Sequence, residues 1–120
     1  MLTVEVVEDD LYMRTLISEW LSSDGYRVQA RATLGDHPRL GVAAVVVDLR
    51  NGPGLVEETI ARAKRVYPQA PLIGVSAQLS QTPQGDSKRA QEIGVSRLVA
   101  KPCTRIELLD AVSQAIRAGL

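Results

Sequence analysis

The sequence predicts an α/β domain built as a doubly wound, five-stranded parallel sheet with helices on both faces. Two observations carry that expectation. Short β-branched apolar runs alternate along the chain with stretches of helical period, the pattern of successive βα units. The most apolar run, residues 42–48, lacks period-two alternation, so it reads as a central strand covered by helices on both sides.

In chain order, the strands are expected at residues 3–7 (TVEVV), 26–30 (YRVQA), 42–48 (VAAVVVD), 71–76 (PLIGVS) and 97–100 (RLVA). Between the first two, Leu11, Leu16, Ile17, Trp20 and Leu21 recur at helical spacing, and Gly25 stands where a helix would stop. Residues 30–41, broken by Gly35, Pro38 and Gly41, promise no more than a turn or two of helix. Leu55, Val56, Ile60, Ala63 and Val66 form a second apolar stripe that closes before Pro68. Residues 78–87 are polar and turn-rich and read as a long mobile loop, leading into a short helix near residues 87–93. The last helix is the best marked. Thr104 and Glu107 have capping-box spacing, and Ile106, Leu109, Val112 and Ile116 follow on one face.

Composition narrows the function. A chain of 120 residues fits one domain, 1–120, with a real core, since chains of this size bury roughly two-thirds of their unfolded surface. Its 45% hydrophobic content is ordinary for a folded protein, and with no Phe the core must come mainly from Val, Leu, Ile and Ala. Fourteen basic and fourteen acidic residues cancel, so bulk charge draws the chain to neither nucleic acid nor an anionic membrane. No apolar segment reaches the roughly 20 residues needed to span a bilayer, and the N-terminus lacks the basic region of a secretory signal. Cys103, the single cysteine, favours a reducing compartment, and the expected location is cytoplasmic. His37, the single histidine, lies in a Gly/Pro-broken segment and has no partner for metal or acid–base work.

In open α/β sheets ligands bind at the carboxyl ends of the strands. Here those ends carry Glu8 and Asp9, Asp48, Ser76 and Lys101. Three carboxylates brought close at reduced dielectric must protonate, pair with a cation or bind a metal. An all-oxygen set without His or Cys selects a hard ion such as Mg²⁺. Asp48, at the end of the most buried strand, can attack a phosphoryl group as a nucleophile. Lys101 and the Ser76 hydroxyl can then meet the transferred charge. Asp10 is left over and suits the cap of the first helix.

These residues resemble the receiver domain of two-component response regulators. The acidic pair in VVEDD, the phosphoacceptor strand in VVVDLR, the Ser-Ala strand end in LIGVSA and the Lys-Pro motif in GVSRLVAKP occur in the family's order across essentially the whole chain. The resemblance implies a flavodoxin-like strand order 2-1-3-4-5 with a short or degenerate second helix. It implies phosphorylation of Asp48 by a sensor histidine kinase or phosphotransfer protein. It also implies Mg²⁺ held by Glu8, Asp9, Asp48 and the backbone carbonyl of Arg50, phosphoryl oxygens bound by Ser76 and Lys101, and a cis Lys101–Pro102 peptide. A receiver signals through a protein partner, sometimes as a homodimer, and catalyses only its own phosphorylation and slow dephosphorylation.

The chain departs from the family at several places. Leu98 stands where a switch Tyr or Phe is usual, and Cys103 where Phe is frequent. The loop after Asp48 is compressed, and the segment after Ser76 is long. Arg50 and Gln78 occupy two variable positions that influence phosphoryl lifetime, and Arg50 is long enough either to reach the phosphoryl group or to block water. The expectation is a single-domain receiver without an output domain. The first alternative is a degenerate receiver acting as a constitutive interaction module. A Mg²⁺-dependent phosphohydrolase is the second, and the chain shows neither a substrate-pocket signature nor a general acid for it.

Overall fold

In a computed structural model the chain forms a five-stranded parallel sheet in the order β2-β1-β3-β4-β5, as the sequence predicts. The structure describes residues 1–79, 82–83 and 87–119. The strands are β1 (Thr3–Val7), β2 (Arg27–Arg31), β3 (Ala44–Leu49), β4 (Leu72–Ser76) and β5 (Arg97–Ala100). The helices are α1 (Leu11–Ser23), α2 (Leu55–Val66), α3 (Lys88–Ile93) and α4 (Arg105–Ala118). No described helix is long and apolar enough to cross a membrane.

Alternation along each strand sorts the core into two layers. Val4 and Val6, Ala44 and Val46, Ile73 and Val75, and Val99 face α1 and α4, where Ile17, Leu21, Leu108 and Val112 meet them. Val7, Val45, Val47, Leu49, Leu72 and Leu98 face α2 and α3 with Ile60, Ala63, Val66 and Ala90. Gly74 also points to this second layer, where a Cβ would stand 2.5 Å from Leu49 Cδ1 and 3.3 Å from Leu98 Cδ2. Only glycine lets the three strands close there.

The helix boundaries follow their signals. Asp10 caps α1, its carboxylate accepting from the Met13 amide at 2.9 Å. Ser87 caps α3, and Thr104 with Glu107 forms the expected capping box on α4. Three details differ from expectation. Residues 32–43 contain no helix at all, because the Gly and Pro breaks leave no uninterrupted turn to nucleate one. In α4 the fully buried residues are Leu108, Ala111, Val112 and Ala115, with Leu109 and Ile116 packed beside them, while Ile106 is 71% exposed. Asp48 is the penultimate residue of β3 rather than its last. Of the expected loop at residues 78–87, Ser80, Gln81, Gln84, Gly85 and Asp86 lie outside the described residues. Thr82 is tied down: its hydroxyl accepts from the Ala100 amide at 3.0 Å.

One buried charge stands out. Glu5, in the middle of β1, is 1% exposed and points into the second layer, where no helix covers the sheet between β2 and β3. The Tyr67 hydroxyl donates to its Oε1 at 2.7 Å and Arg39 Nε donates to its Oε2 at 2.7 Å. The Arg39 guanidinium also reaches Gln29 at 2.6 Å, so the loop after β2 is held to the sheet by a polar clamp where a helix would bring apolar contacts.

Candidate functional site

Register brings the carboxylates together. Val7 pairs with Val47, and one step further along the two strands sets Asp48 level with Glu8 at the carboxyl edge of the sheet. The Glu8 amide extends the sheet by donating to Arg31 O at 3.0 Å, while Arg14 from α1 clamps the Glu8 carbonyl at 2.9 Å. The turn that carries the acidic pair is thus held from both sides. One carboxylate oxygen each from Glu8, Asp9 and Asp48 lies within 4.8 Å of the others.

Lys101 enters from β5. Its amide donates to Ser76 O at 2.9 Å, continuing the β4–β5 ladder, and the Lys101–Pro102 peptide is cis. Its ammonium lies 2.7 Å from Glu8 Oε1 and donates to Asp48 Oδ1 at 3.0 Å. The Glu8 contact is an ion pair to a buried carboxylate oxygen. The other Glu8 oxygen accepts from the Asp10 amide at 3.3 Å. Burial pushes the Glu8 carboxyl above its ordinary range, Lys101 opposes that shift, and the Asp48 charge adds to it. Burial works against the Lys101 ammonium, but the Glu8 and Asp48 carboxylates outweigh it and raise its pKa. Arg50, just beyond β3, pairs through its guanidinium with the Asp9 carboxylate.

The Ser76 hydroxyl accepts from the Gln78 amide at 3.2 Å, within its own turn. It borders a cavity of about 220 Å³ between the sheet and α3, lined also by Leu49, Val56, Leu79, Ile93 and Leu98. Leu98, 4% exposed, is one of the residues that line this space. Cys103 is half-buried against the first layer, and burial raises its thiol pKa, which suits packing rather than nucleophilic chemistry.

The donor set suits a hard divalent cation. It is all oxygen, it carries three formal negative charges, and Glu8 is buried. Two features escaped the sequence reading. Glu5 interrupts an otherwise apolar strand, and that interruption was a signal for a buried partner such as Tyr67. The pairing of Arg50 with Asp9 left no local trace, because the two residues are 41 positions apart.

No family model matches the chain. The chain is 32% identical over 120 residues to the regulatory protein VirG of Agrobacterium fabrum, covering 95% of this chain and 46% of that protein. It thus spans about half the length of the curated relatives it matches. Among solved structures, the non-phosphorylated HemR receiver domain of Leptospira biflexa superposes with a TM-score of 0.67 at 26% identity, covering 97% of this chain and 94% of that one. The receiver domain of the sensor histidine kinase PA1611 of Pseudomonas aeruginosa, which holds a magnesium ion in its active-site cleft, superposes with a TM-score of 0.71 at 23% identity, covering 97% and 98%.

Strand order, the strand-end groups and these relatives all point to one class, the receiver domains of two-component response regulators. The relative matched over this chain is a regulatory protein.

Proposed function

We propose that this receiver accepts a phosphoryl group on Asp48 from a sensor histidine kinase or phosphotransfer protein and signals by phosphorylation-dependent binding of a protein partner. The observation that carries the reading is the convergence of Glu8, Asp9 and Asp48 with the Lys101 ammonium at one edge of the sheet. The Asp48 carboxylate oxygen forms the new P–O bond as the P–N bond to the donor imidazole breaks and the imidazole departs. Glu8, Asp9, Asp48 and the Arg50 carbonyl would hold Mg²⁺, which would supply positive charge to the phosphoryl oxygens. Lys101, whose amide joins the β4–β5 ladder and whose ammonium meets Asp48, would pair with a phosphoryl oxygen once Asp48 becomes an acyl phosphate and its carboxylate charge is lost. Ser76 would leave the Gln78 amide to donate to another. A reducing cytoplasmic compartment, one domain over residues 1–120 and no direct contact with nucleic acid or membrane complete the reading.

Incubation with acetyl phosphate or a kinase and Mg²⁺ should label the wild type and leave Asp48→Asn unlabelled; equal labelling refutes the assignment. Leu98 beside an open cavity favours a second reading, a constitutive interaction module. A phosphoryl mimic, beryllofluoride with Mg²⁺, separates the two. Amide shifts around Ser76 and β5 belong to the switch, and unchanged spectra belong to the module.

A further inference from the structure

We propose that the Arg50 guanidinium is a built-in competitor of the divalent cation: it neutralises Asp9 in the metal-free receiver and must yield that carboxylate when a cation enters. This deepens the proposed function and rests on its metal reading.

The charge arrangement is divided between two cations. Lys101 serves Glu8 and Asp48, and Arg50 serves Asp9, so each of the three clustered carboxylates already has a protein counter-ion. The two cations differ in mobility. Lys101 has a side chain 21% exposed and a main chain fastened to β4, so it stays. The Arg50 side chain is 57% exposed and that of Asp9 is 47% exposed, so their pair is solvated, weak and easily exchanged.

Space for the displaced group is at hand. A cleft of about 240 Å³ beside Asp48, formed where residues 32–34 run without a helix, is lined by Arg50 and also by Glu58 of α2. Glu58 offers the released guanidinium a second carboxylate. The same residue, Arg50, would then ligate the ion through its main chain and compete through its side chain. Substitution at position 50 removes the competitor and keeps the carbonyl.

Mg²⁺ titrations followed by backbone amide shifts of the intact domain test this in wild type, Arg50→Ala, Arg50→Gln and Arg50→Lys. Loss of an exposed ion pair of ordinary strength corresponds to about twofold to fivefold tighter Mg²⁺ binding in Arg50→Ala and Arg50→Gln. Arg50→Lys, which keeps the charge, should fall between them and wild type. Unchanged or weaker binding in the Ala and Gln variants overturns the proposal, and so does an Arg50→Lys variant that binds as tightly as Arg50→Ala. Failure of Mg²⁺ to bind any of the four proteins overturns the metal reading itself, and the competition with it.

Discussion

Replacing Tyr67 with Phe isolates the buried clamp on Glu5. Tyr67 and Glu5 are each 1% exposed, and the phenol donates to Glu5 Oε1 at 2.7 Å while Arg39 occupies the other oxygen. The ring packing survives the substitution, but Glu5 Oε1 is left buried with its donor gone. A hydrogen bond to a charged group contributes about 1.5–3 kcal/mol, so the expected loss is about 2 kcal/mol. For a chain of 120 residues that lowers Tm by roughly 8 °C at about 2.1 cal/mol/K of unfolding entropy per residue.

The pH dependence has a defined sign. Burial, then the hydrogen bond to Glu5 and the Glu5 charge, push the Tyr67 phenol well above its ordinary value of 10.0. The native state therefore keeps a proton that the unfolded chain releases, and the stability this group supplies is complete below pH 10 and is lost as pH rises above it. Between pH 10 and pH 11 wild type should lose up to about 1.4 kcal/mol more than Tyr67→Phe. Urea melts by circular dichroism at pH 7, 10 and 11 read both effects. An unchanged midpoint at pH 7, or parallel losses in the two proteins at high pH, would refute the reasoning.

Three further outcomes are expected. Gly74→Ala should destabilise by about 1–3 kcal/mol, since its Cβ collides with Leu49 and Leu98 in a closed layer, and a thermal melt checks it. Asp10→Ala should cost about 1 kcal/mol by leaving the Met13 amide uncapped, with amide exchange accelerating in the first turn of α1 as a local signature. Lys101→Met leaves the 2%-exposed Glu8 without its cation; the metal-free protein should melt earlier, and added Mg²⁺ should raise its Tm by more than it raises that of wild type.

Much of the fold was legible because its determinants are local. Apolar runs with β-branched residues marked the five strands to within two residues, and caps at Asp10 and Thr104 lie within three residues of the amides they serve. Alternating βα units then leave few arrangements, and the parallel order 2-1-3-4-5 is among them. One member of the α4 stripe, Ile106, was misplaced by the same locality, while Leu109, Val112 and Ile116 do meet the core. Ile106 and Leu108 are equally apolar, and only the sheet decides which of them it covers.

The sequence by itself determined which chemistry stands at the strand ends, because alternation and strand length decide which side chains each strand delivers to the carboxyl edge. Only the tertiary structure decided who is paired with whom. Lys101 meets Asp48 across 53 residues of chain, Arg50 meets Asp9 across 41, and Tyr67 meets Glu5 across 62. Such pairs follow from register and from the absence of a helix between β2 and β3, and charge interactions depend on distance and burial that no single stretch of sequence contains.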